Sequence, residues 1–581
     1  MIEPRYSNLN ELFASRVFRI PKYQRFYSWE QKQRKDLLDD IDALQERGDE
    51  EHHFMATIVC FRTKERKPIG VKIYDLYDVV DGQQRLTTII ILLKCIHLLL
   101  EEGSDEWRDI ADTLVKKDGH LVLLQTNNAN ERLFHAFIKD GRSPEDEGLK
   151  TAADRRLRDA IKECRDFVAA WKETHGTVLS LLNLILYRLG FVVYDTEKGS
   201  LVYTIFEVLN SRGLAVDWLD KCKSVLMGKA FELAGSSEAA DAQIGRLNDI
   251  WTDIYQELAK ENLSGSEVLR FAATLHLSES NVSRLLSDDA SLEKIRGYCS
   301  RADATVQVSE WLLDVTKKLV KLRGEVFYDA VAYITQARLL AVAIMTTDKL
   351  SKDERTKALD QWERVTFRIF GLFDKDSRTK VGEYTRLAIA VMKGEDGASS
   401  SEELMESLAE LGFDHSPIHA VKEALRPHDF YQKRQDACRY LLWRYEEHLA
   451  ENAGPHATVS DEAKLALWKN NAADTIEHVY PQIPDPGGPW HRKMREGDRG
   501  RARPVEQHVH RLGNLVLLRP PLNVLAGNKG FAEKKTIYKQ EQLRMLSEEI
   551  RKCSDWTLKE IKEREERIAK WAVERWSDLE Q

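Results

Sequence analysis

The pattern of apolar and polar positions changes along the chain, and its strand-like segments lie within the first 230 residues. A run of β-branched, aromatic and other apolar residues covers 54–61, and a second run, rich in Val and Tyr, covers 74–80. Both have the composition and length of β-strands, as does the apolar segment 191–194. Residues 88–100 are apolar apart from one lysine and one histidine, which predicts a buried helix. A membrane span needs about 20 apolar residues, so this run is too short to be one.

From about residue 231 the pattern becomes helical. Apolar residues recur at intervals of three and four, as in Phe327, Val331, Ile334, Ala337, Ala341 and Ile344. The segment 451–455 (Glu-Asn-Ala-Gly-Pro) is typical of a boundary, and a charged helix is predicted for 534–579. We therefore predict a multidomain α+β protein with domains at 1–230, 231–455 and 456–581.

Composition limits the class of protein. With 581 residues, 43% of them hydrophobic and 31% charged, the chain is typical of a globular protein of more than one domain. Its seven cysteines are scattered without a C-x-x-C pair, which favours reduced thiols over a zinc ribbon. The N-terminus lacks the apolar segment of a signal peptide, so we expect a cytoplasmic protein. The net charge of −8 gives no overall basic field.

Two short segments near the C-terminus have the chemistry of a hydrolytic site. Residues 477–481 read Glu-His-Val-Tyr-Pro, residues 510–518 begin His-Arg-Leu-Gly-Asn, and Asn523 follows. An acid beside a histidine, then an asparagine, then a second asparagine is the order found in HNH (His-Me finger) nucleases. Phosphodiester hydrolysis needs a base to activate water and a cation to stabilise charge at the phosphate. Taken singly, each piece is also typical of a strand end or a buried strand.

Each residue of this motif has a predicted role. His478 is the predicted general base, because an imidazole that is largely neutral at pH 7 can accept a proton. Glu477 and Asn523 are predicted oxygen ligands for Mg²⁺ (or Mn²⁺). Asn514 is expected to orient the histidine ring, and Asn528 is a rival for Asn523. Many HNH nucleases carry two zinc-binding cysteines between the asparagines, whereas this chain has arginine and leucine there, so we expect no structural zinc.

Basic residues are concentrated around the same motif. Between Trp490 and Gln540 there are twelve Lys or Arg and four Asp or Glu, a net charge of +8. A solvated basic loop would give the same pattern, but phosphates near a nuclease site also need positive charge. The predicted DNA-binding residues are Arg499, Arg501, Arg503, Arg511, Lys529 and Lys534.

Three polar motifs occur in the first region, at 20–29, 81–88 and 206–213. In the first, Ser28 and Gln31 resemble a capping box. The second, Asp-Gly-Gln-Gln-Arg-Leu-Thr-Thr, predicts a strand that ends in a glycine turn and leads into a helix. The free N–H groups of that helix would bind an anion. No P-loop or Rossmann sequence is present. The predicted phosphate- or nucleotide-binding residues are Gln24, Arg25, Asp81, Gly82, Gln83, Gln84, Arg85, Asn210, Arg212 and Gly213.

These motifs, in this order, resemble those of GmrSD-type, modification-dependent (type IV) restriction endonucleases over residues 10–225 and 470–540. The resemblance implies a ParB/sulfiredoxin-like α/β N-terminal domain that binds and hydrolyses a nucleotide. It also implies a C-terminal ββα-metal (HNH) nuclease domain, with a helical region between the two. The residues that match the family motifs are Pro21, Gln24, Arg25, Tyr27, Trp29, Asp81–Arg85, Phe206, Leu209, Asn210, Arg212, Gly213, Glu477, His478, Pro481, Asn514 and Asn523.

The resulting hypothesis is a nucleotide-regulated, Mg²⁺-dependent DNA endonuclease of phage defence that cleaves modified foreign DNA. His478, Asn514 and Asn523 would form its catalytic set. Two alternatives remain open: a nucleotide-dependent DNA-binding switch without cleavage, and an RNA-directed abortive nuclease. The residues do not select a DNA modification, nor GTP, ATP or CTP. The expected partners are double-stranded DNA and a nucleoside triphosphate. Double-strand cutting by a single HNH site favours either a homodimer or sequential nicking, and the oligomeric state stays open.

Overall fold

The computed structural model forms two compact units. The N-terminal unit comprises Met1–Leu277 and Leu286–Val320, and the C-terminal unit comprises Ser278–Leu285 and Lys321–Gln581. The predicted helical domain 231–455 is thus divided between the two units, and the three-domain division remains a prediction. The structure describes residues 4–14, 16–46, 53–69, 72–116, 121–126, 131–146, 149–196, 217–234, 236–261, 263–414, 416–417, 420–425, 430–454, 460–485, 488, 490 and 508–576.

A six-stranded mixed sheet is the main β-structure of the N-terminal unit. The strands of this unit are β1 (Arg5–Asn8), β2 (Arg16–Ile20), β3 (His53–Ile69), β4 (Lys72–Asp81), β5 (Val115–Lys116), β6 (Leu121–Val122), β7 (Leu124–Thr126) and β8 (Leu189–Thr196). The sheet has the order β1-β8-β3-β4-β2-β7, and β5 pairs separately with β6. Strand β2 is parallel to both β4 and β7, and β3 is parallel to β8 but antiparallel to β4. The three predicted strands are therefore confirmed within β3, β4 and β8.

Helices cover this sheet and build the rest of the N-terminal unit. They are α1 (Leu9–Phe13), α2 (Gln31–Gln45), α3 (Gln83–His97), α4 (Asp105–Leu114), α5 (Glu131–Asp140), α6 (Ala152–His175), α7 (Leu179–Asn183), α8 (Trp218–Leu233), α9 (Ser237–Lys260), α10 (Gly265–Leu277), α11 (Asp288–Tyr298) and α12 (Ala302–Arg323). Helix α3 packs against α4 and α6, and every residue in it except Arg85 is buried. An all-round apolar helix is stable only inside a core, so the predicted buried helix is confirmed.

The C-terminal unit is almost entirely helical. Its helices are α13 (Thr335–Thr346), α14 (Lys352–Thr366), α15 (Val381–Lys393), α16 (Ser401–Phe413), α17 (Val421–Ala424), α18 (Phe430–Lys433), α19 (Gln435–Asn452), α20 (Asp461–Trp468), α21 (Ala472–Thr475), α22 (Pro520–Ala526), α23 (Phe531–Tyr538) and α24 (Leu558–Trp576). Two short strands, β9 (Ile476–His478) and β10 (Leu515–Leu517), form its sheet. In the parts of both units that the structure describes, none of the helices combines the length and the apolar character needed to cross a bilayer.

Two local predictions are wrong in an instructive way. The single helix predicted for 534–579 is broken into α23, a π-helical segment at Met545–Ile550, and α24. The break before α24 lets Trp556 turn inward, where its indole N–H donates to Asn514 Oδ1 at 3.1 Å. Helix α2 is capped by Glu30 with Gln33 instead of by Ser28. The Ser28 backbone N–H donates instead to Gln84 Oε1 at 2.8 Å.

Candidate active site

A small ββα arrangement holds the C-terminal motif. Strands β9 and β10 are antiparallel, with Leu515 opposite His478 and Val516 opposite Glu477. Helix α22 follows β10 after two residues and begins with Pro520, which suits a first helical turn because a proline needs no backbone N–H donor there. All six strand residues are buried, so the apolar side chains of β10 anchor the pair in the core. The pairing with β10 therefore holds the end of β9, and His478 with it, in a fixed position.

His478 is buried and both of its ring nitrogens have partners. Its side chain is 3% exposed. Its Nε2 lies 3.0 Å from His510 Nδ1, and its Nδ1 lies 3.2 Å from Gln482 Nε2. Burial, together with His510 and Lys534, lowers the pKa of His478 to about 3. The ring is therefore uncharged at neutral pH, as a general base must be.

His510 is a member of this site that the sequence analysis did not assign a role. Its ring stacks on Tyr431, with centroids 5.3 Å apart and planes at 10°, and Tyr431 also meets the His478 ring edge-on. Burial lowers the pKa of His510. The signal was present in the sequence, because His510 opens the segment that carries Asn514. Tyr431 lies outside the predicted nuclease domain, and no local pattern points to it.

Glu477 faces a different environment from its neighbour, because successive strand residues point to opposite faces of a sheet. Its Oε1 accepts from Lys534 Nζ at 2.7 Å and from the Tyr538 hydroxyl at 2.8 Å. Lys534 is fully buried and also donates to the His478 carbonyl oxygen. Burial raises the pKa of Glu477 and lowers the pKa of Lys534. This ion pair leaves neither residue available for its predicted role. The Glu477 carboxylate, predicted to bind Mg²⁺, is already neutralised, and the buried Lys534 ammonium, predicted to contact DNA, cannot reach it.

Asn514 hydrogen-bonds to both ends of the segment that connects β9 to β10. Its Oδ1 accepts from the Tyr480 N–H at 2.8 Å and from the Trp556 indole. Its Nδ2 donates to the carbonyl oxygens of Tyr480 and Val509, at 2.9 and 2.8 Å. The side chain is completely buried and its hydrogen bonds are satisfied. Asn514 therefore fixes the backbone on both sides of the site instead of orienting the ring of His478 directly.

The two candidates for the last motif position lie in different places. Asn523 Nδ2 donates to the Asp474 carbonyl oxygen at 2.9 Å and approaches the Ile476 carbonyl at 3.4 Å, so it lies against the start of β9. Asn528 Nδ2 instead approaches Asp485 Oδ1 at 3.3 Å. The geometry favours Asn523 as the residue nearer the histidines.

The donor set of this site does not fit the Mg²⁺ site that the motif implies. The Glu477 carboxylate belongs to the buried ion pair with Lys534, and the groups nearest His478 are a second imidazole and an amide. Mg²⁺ prefers carboxylate oxygen and water. Across the described residues, no three His, Cys, Asp or Glu side chains come together in a way that could hold a metal ion.

The predicted DNA-binding residues differ in their availability. Arg511 Nε is paired with Glu565 Oε2 at 2.6 Å, so its guanidinium is held by an ion pair to helix α24. Lys529 is exposed and donates to the Leu525 carbonyl oxygen. The predicted contacts Arg499, Arg501 and Arg503 lie outside the described residues.

In the N-terminal unit, the glutamines of two motifs hold the backbone. Gln24 Nε2 donates to the Val80 carbonyl oxygen at 3.2 Å. Gln84 accepts from the Ser28 N–H at 2.8 Å and donates to the Phe26 carbonyl oxygen at 3.0 Å. These bonds join the first motif to the start of α3. The two side chains therefore hold the backbone, and their contact with a nucleotide stays a prediction.

Gly82 lies between β4 and α3, where the chain turns sharply. Its φ of 90° is in the left-handed region that favours glycine. A Cβ there would lie 3.2 Å from Ile58 Cγ1 and 3.4 Å from the Thr57 carbonyl oxygen. The second motif therefore needs a glycine at this position for the backbone alone.

The charged motif residues meet acids from α8 and the residue that caps it. Arg25 Nε lies 3.1 Å from Asp220 Oδ2. Burial alone would lower the pKa of Arg25, but Asp220 and Asp217 outweigh it and raise it. Burial raises the pKa of Asp81, which also feels the charges of Arg85, Asp220 and Arg25. Arg25 is therefore paired with Asp220, an acid that the sequence analysis did not include, and Asp81 interacts electrostatically with both Arg25 and Arg85.

Two further residues of this cluster were also missed. The Tyr255 hydroxyl donates to Asp220 Oδ1 at 2.5 Å, and Lys223 Nζ donates to the Tyr23 carbonyl oxygen at 2.5 Å. Burial lowers the pKa of Lys223 to about 7. They lie on α8 and α9, far along the chain from the first two motifs, so no local pattern could have identified them.

The space and the free groups around Arg25 are limited. A cavity of about 90 Å³ borders Arg25, Asp217, Asp220 and Tyr255. Pockets for small ligands usually measure about 300–1,000 Å³, so this cavity cannot hold a whole nucleotide. Gln83 Oε1 is buried without a partner among the described residues. The predicted residues Asn210, Arg212 and Gly213 of the third motif lie outside the described residues.

Comparisons with known proteins match two separate regions of the chain, and each region contains one of the two polar sites. The model of the GmrSD restriction endonuclease, N-terminal domain, matches residues 9–227. The model of the GmrSD restriction endonucleases, C-terminal domain, matches residues 417–571 and so includes Tyr431 with both histidines. None of the curated proteins compared with the chain matches it. Two domain models of one family match in order along one chain, each over one of the two polar sites. The chain therefore belongs to the GmrSD restriction endonuclease family.

Proposed function

We propose that this protein is a nucleotide-regulated endonuclease of phage defence that cleaves modified foreign DNA. Membership of a restriction endonuclease family implies cleavage of DNA. The observation that carries the finer proposal is the hydrogen-bonded pair of imidazoles formed by the buried His478, at the end of β9, and the partly exposed His510. Phosphodiester hydrolysis needs a proton acceptor close to the attacking water. We propose that β9, β10 and α22 form an HNH finger around that acceptor.

In this proposal the two histidines carry out the proton transfer, and the residues that hydrogen-bond around them hold them in position. The imidazole pair accepts a proton from water as the water oxygen forms a bond to phosphorus. The bond between phosphorus and the leaving oxygen breaks, and solvent protonates that oxygen. Asn514 and the Glu477–Lys534 ion pair hold strands β9 and β10, and these strands position the two histidines. The resemblance also implies Mg²⁺ or Mn²⁺, and addition of EDTA tests whether cleavage requires such a cation.

The N-terminal unit is proposed to bind and hydrolyse a nucleoside triphosphate within a ParB/sulfiredoxin-like domain. What supports this is the convergence of Arg25, Asp81 and Arg85 and the unpartnered oxygen of Gln83 beside them. The small cavity implies that the acids of α8 must move away from Arg25 when a triphosphate binds. We expect Arg85→Ala to abolish nucleotide hydrolysis. A variant with unchanged turnover would place the nucleotide elsewhere.

The direct test is a cleavage assay on modified phage DNA and unmodified plasmid, with and without GTP, ATP or CTP. His478→Ala is the active-site variant, and His448→Ala, on α19, is the matched control. We expect cutting of the modified DNA alone and a loss of about 10²–10⁴-fold in His478→Ala. Equal cutting of both DNAs would remove the sensing of modification. Degradation of an RNA substrate in place of DNA would assign the activity to RNA.

A nucleotide-dependent DNA-binding switch is the second candidate, and one observation favours it. Glu477, the acid expected to bind a metal, is instead part of a buried ion pair. A nuclease domain that has lost its metal ligand would bind DNA without cutting it. Tight DNA binding without cleavage, under every nucleotide and divalent cation tried, would favour this candidate.

A further inference from the structure

Tyr431 and the two histidines of the candidate site form a cluster of three rings. The Tyr431 ring is stacked on His510, with planes at 10° and centroids 5.3 Å apart. The His478 ring stands edge-on to both: it makes an angle of 89° with Tyr431 at 4.7 Å and of 83° with His510 at 5.1 Å. Aromatic rings attract one another when stacked or edge-to-face at about 4.5–7 Å. Each ring therefore restricts the rotation of the other two.

The pairing of β9 with β10 fixes the backbone of His478, whereas the angle of its ring depends on side-chain contacts. The two ring nitrogens contact His510 and Gln482. Gln482 is also within hydrogen-bonding reach of the Tyr431 hydroxyl. Tyr431 therefore touches His478 directly and also touches both residues that hold its nitrogens. Removal of the tyrosine ring would leave all three of these side chains without support on one side.

Tyr431 is itself held by contacts that do not involve the histidines. It is 6% exposed, and its neighbour on α18, Phe430, is 1% exposed. The guanidinium of Arg434, directly before α19, lies 4.8 Å from the centre of the Phe430 ring. The same guanidinium donates to the carbonyl oxygens of Gly371 and Leu372, at 2.9 and 2.5 Å. Helix α18 is therefore anchored independently, and it presents Tyr431 as a fixed surface to the imidazoles.

We infer, on the basis of the nuclease function proposed above, that Tyr431 is a positioning residue for His478. Its ring holds the imidazole pair in the orientation in which the pair takes a proton from water. Because Tyr431 is buried against these side chains, it acts through His478 instead of on the DNA. A misplacement of about 1 Å can slow a reaction step about 10²-fold, so the ring should matter more for kcat than for DNA binding. The nuclease site thus includes α18, which precedes β9, β10 and α22 along the chain.

The test measures kcat and KM for cleavage of modified phage DNA by the full chain with Tyr431→Leu or Tyr431→Phe. Tyr431→Leu removes the flat ring, so kcat should fall about 10–100-fold while KM stays within about threefold of the wild type. Tyr431→Phe keeps the ring and loses only the hydroxyl near Gln482, so it should restore kcat to within about fivefold of the wild type. Rescue by the ring alone, with KM unchanged, is the signature of positioning.

Tyr384→Leu is the matched control for the loss of a buried tyrosine in the same unit. The Tyr384 side chain is fully buried on α15, its hydroxyl contacts Thr366 and its ring packs on Phe370. None of these residues lies on an element that carries the histidines. The control variant should be destabilised, yet below its melting temperature it should keep the wild-type kcat.

Side-chain NMR of isotope-labelled histidine gives a readout that does not depend on activity. Loss of the stacked ring should shift the imidazole signals of His478 and His510, which His478→Ala and His510→Ala assign. Tyr384→Leu should leave both signals in place. If Tyr431→Leu melts below the assay temperature, Tyr431→Met takes its place, because methionine fills the space without a flat face.

Three results would overturn the inference. The first is a wild-type kcat in the folded Leu or Met variant of Tyr431 beside an inactive His478→Ala. The second is a loss in Tyr431→Phe as large as that in Tyr431→Leu, which would assign the effect to the hydroxyl. The third is an equal loss in Tyr384→Leu, which would make the effect one of general stability. Wild-type cleavage by His478→Ala would instead contradict the proposed nuclease centre, and the two failures are therefore distinguishable.

Discussion

In the C-terminal unit one ring nitrogen of the histidine site, His510 Nε2, has no hydrogen-bond partner among the described residues. In the N-terminal unit most described motif groups are bonded to their neighbours. In the second, Gln24 and Gln84 hold backbone carbonyls and Arg25 is paired with Asp220. The first arrangement leaves a ring nitrogen that a ligand can contact without displacing a protein group. The second is closed and must exchange partners before a ligand can bind.

This difference teaches that membership of a motif does not by itself identify the reacting group. Glu477 and Asn514 flank the histidines in the motif, yet both are scaffold. Gln84 is scaffold for the same reason, because a buried amide that lost its partners would cost free energy.

The largest expected effect concerns the scaffold of the histidine site. Glu477→Ala would leave Lys534 buried and unpaired, which should lower the free energy of unfolding by about 3–5 kcal/mol. The double variant Glu477→Ala/Lys534→Met removes both charges and should recover most of that stability. Chemical denaturation of the wild type and both variants measures the difference.

The same double variant separates scaffold from metal ligand. If Glu477 only holds the hairpin, the refolded double variant should cut DNA within about tenfold of the wild type. A double variant that is as stable as the wild type but inactive would return Glu477 to the metal site.

The next effect tests how tightly the N-terminal cluster is closed. The pKa of Lys223 is about 7 in the folded protein, against an ordinary value of 10.5. Between these values the unfolded chain holds the proton and the folded chain does not, so Lys223 makes stability increase as pH rises. The slope is at most about 1.4 kcal/mol per pH unit.

Thermal melting between pH 7 and pH 9 measures this contribution. The wild type should gain stability relative to Lys223→Met over that range. Lys221→Met, on the same helix beside Trp218, is the matched control and should follow the wild type. Parallel curves for the wild type and Lys223→Met would show that the ammonium is not desolvated in the folded state.

The smallest effect sharpens the distinction within one motif. Gln84→Ala removes two hydrogen bonds to the first motif and should cost about 1–3 kcal/mol of unfolding free energy. Gln83→Ala removes only a long contact to the Arg25 carbonyl oxygen, at 3.4 Å, and should cost less. If Gln84→Ala melts like the wild type, its amide is free for ligand binding and the scaffold role is refuted.

Much of the fold was readable from local patterns, because burial selects the residue types of a segment. The strands within β3, β4 and β8 follow from their β-branched, aromatic and apolar composition, and the buried helix α3 follows from its apolar run. The break before α24 does not, because it depends on the long-range bond between Trp556 and Asn514. A charged stretch with helical spacing gives no warning of such a bond.

The sequence identified residues of the candidate site more readily than it identified the partners and roles of those residues. His478 and Asn523 were found by their order in the motif. The partner of Glu477 is a lysine 57 positions away, and Asp220 approaches Arg25 from a separate helix. Pairings of this kind depend on the tertiary fold, and one sequence alone does not reveal them.

The most direct test of the central claim is the rate at which wild-type protein and His478→Ala, matched for melting temperature, cleave modified phage DNA. The C-terminal histidine site predicts cleavage by the wild type and a loss of about 10²–10⁴-fold in the variant. Equal rates for the two proteins would contradict the claim that this pair of histidines is the hydrolytic centre.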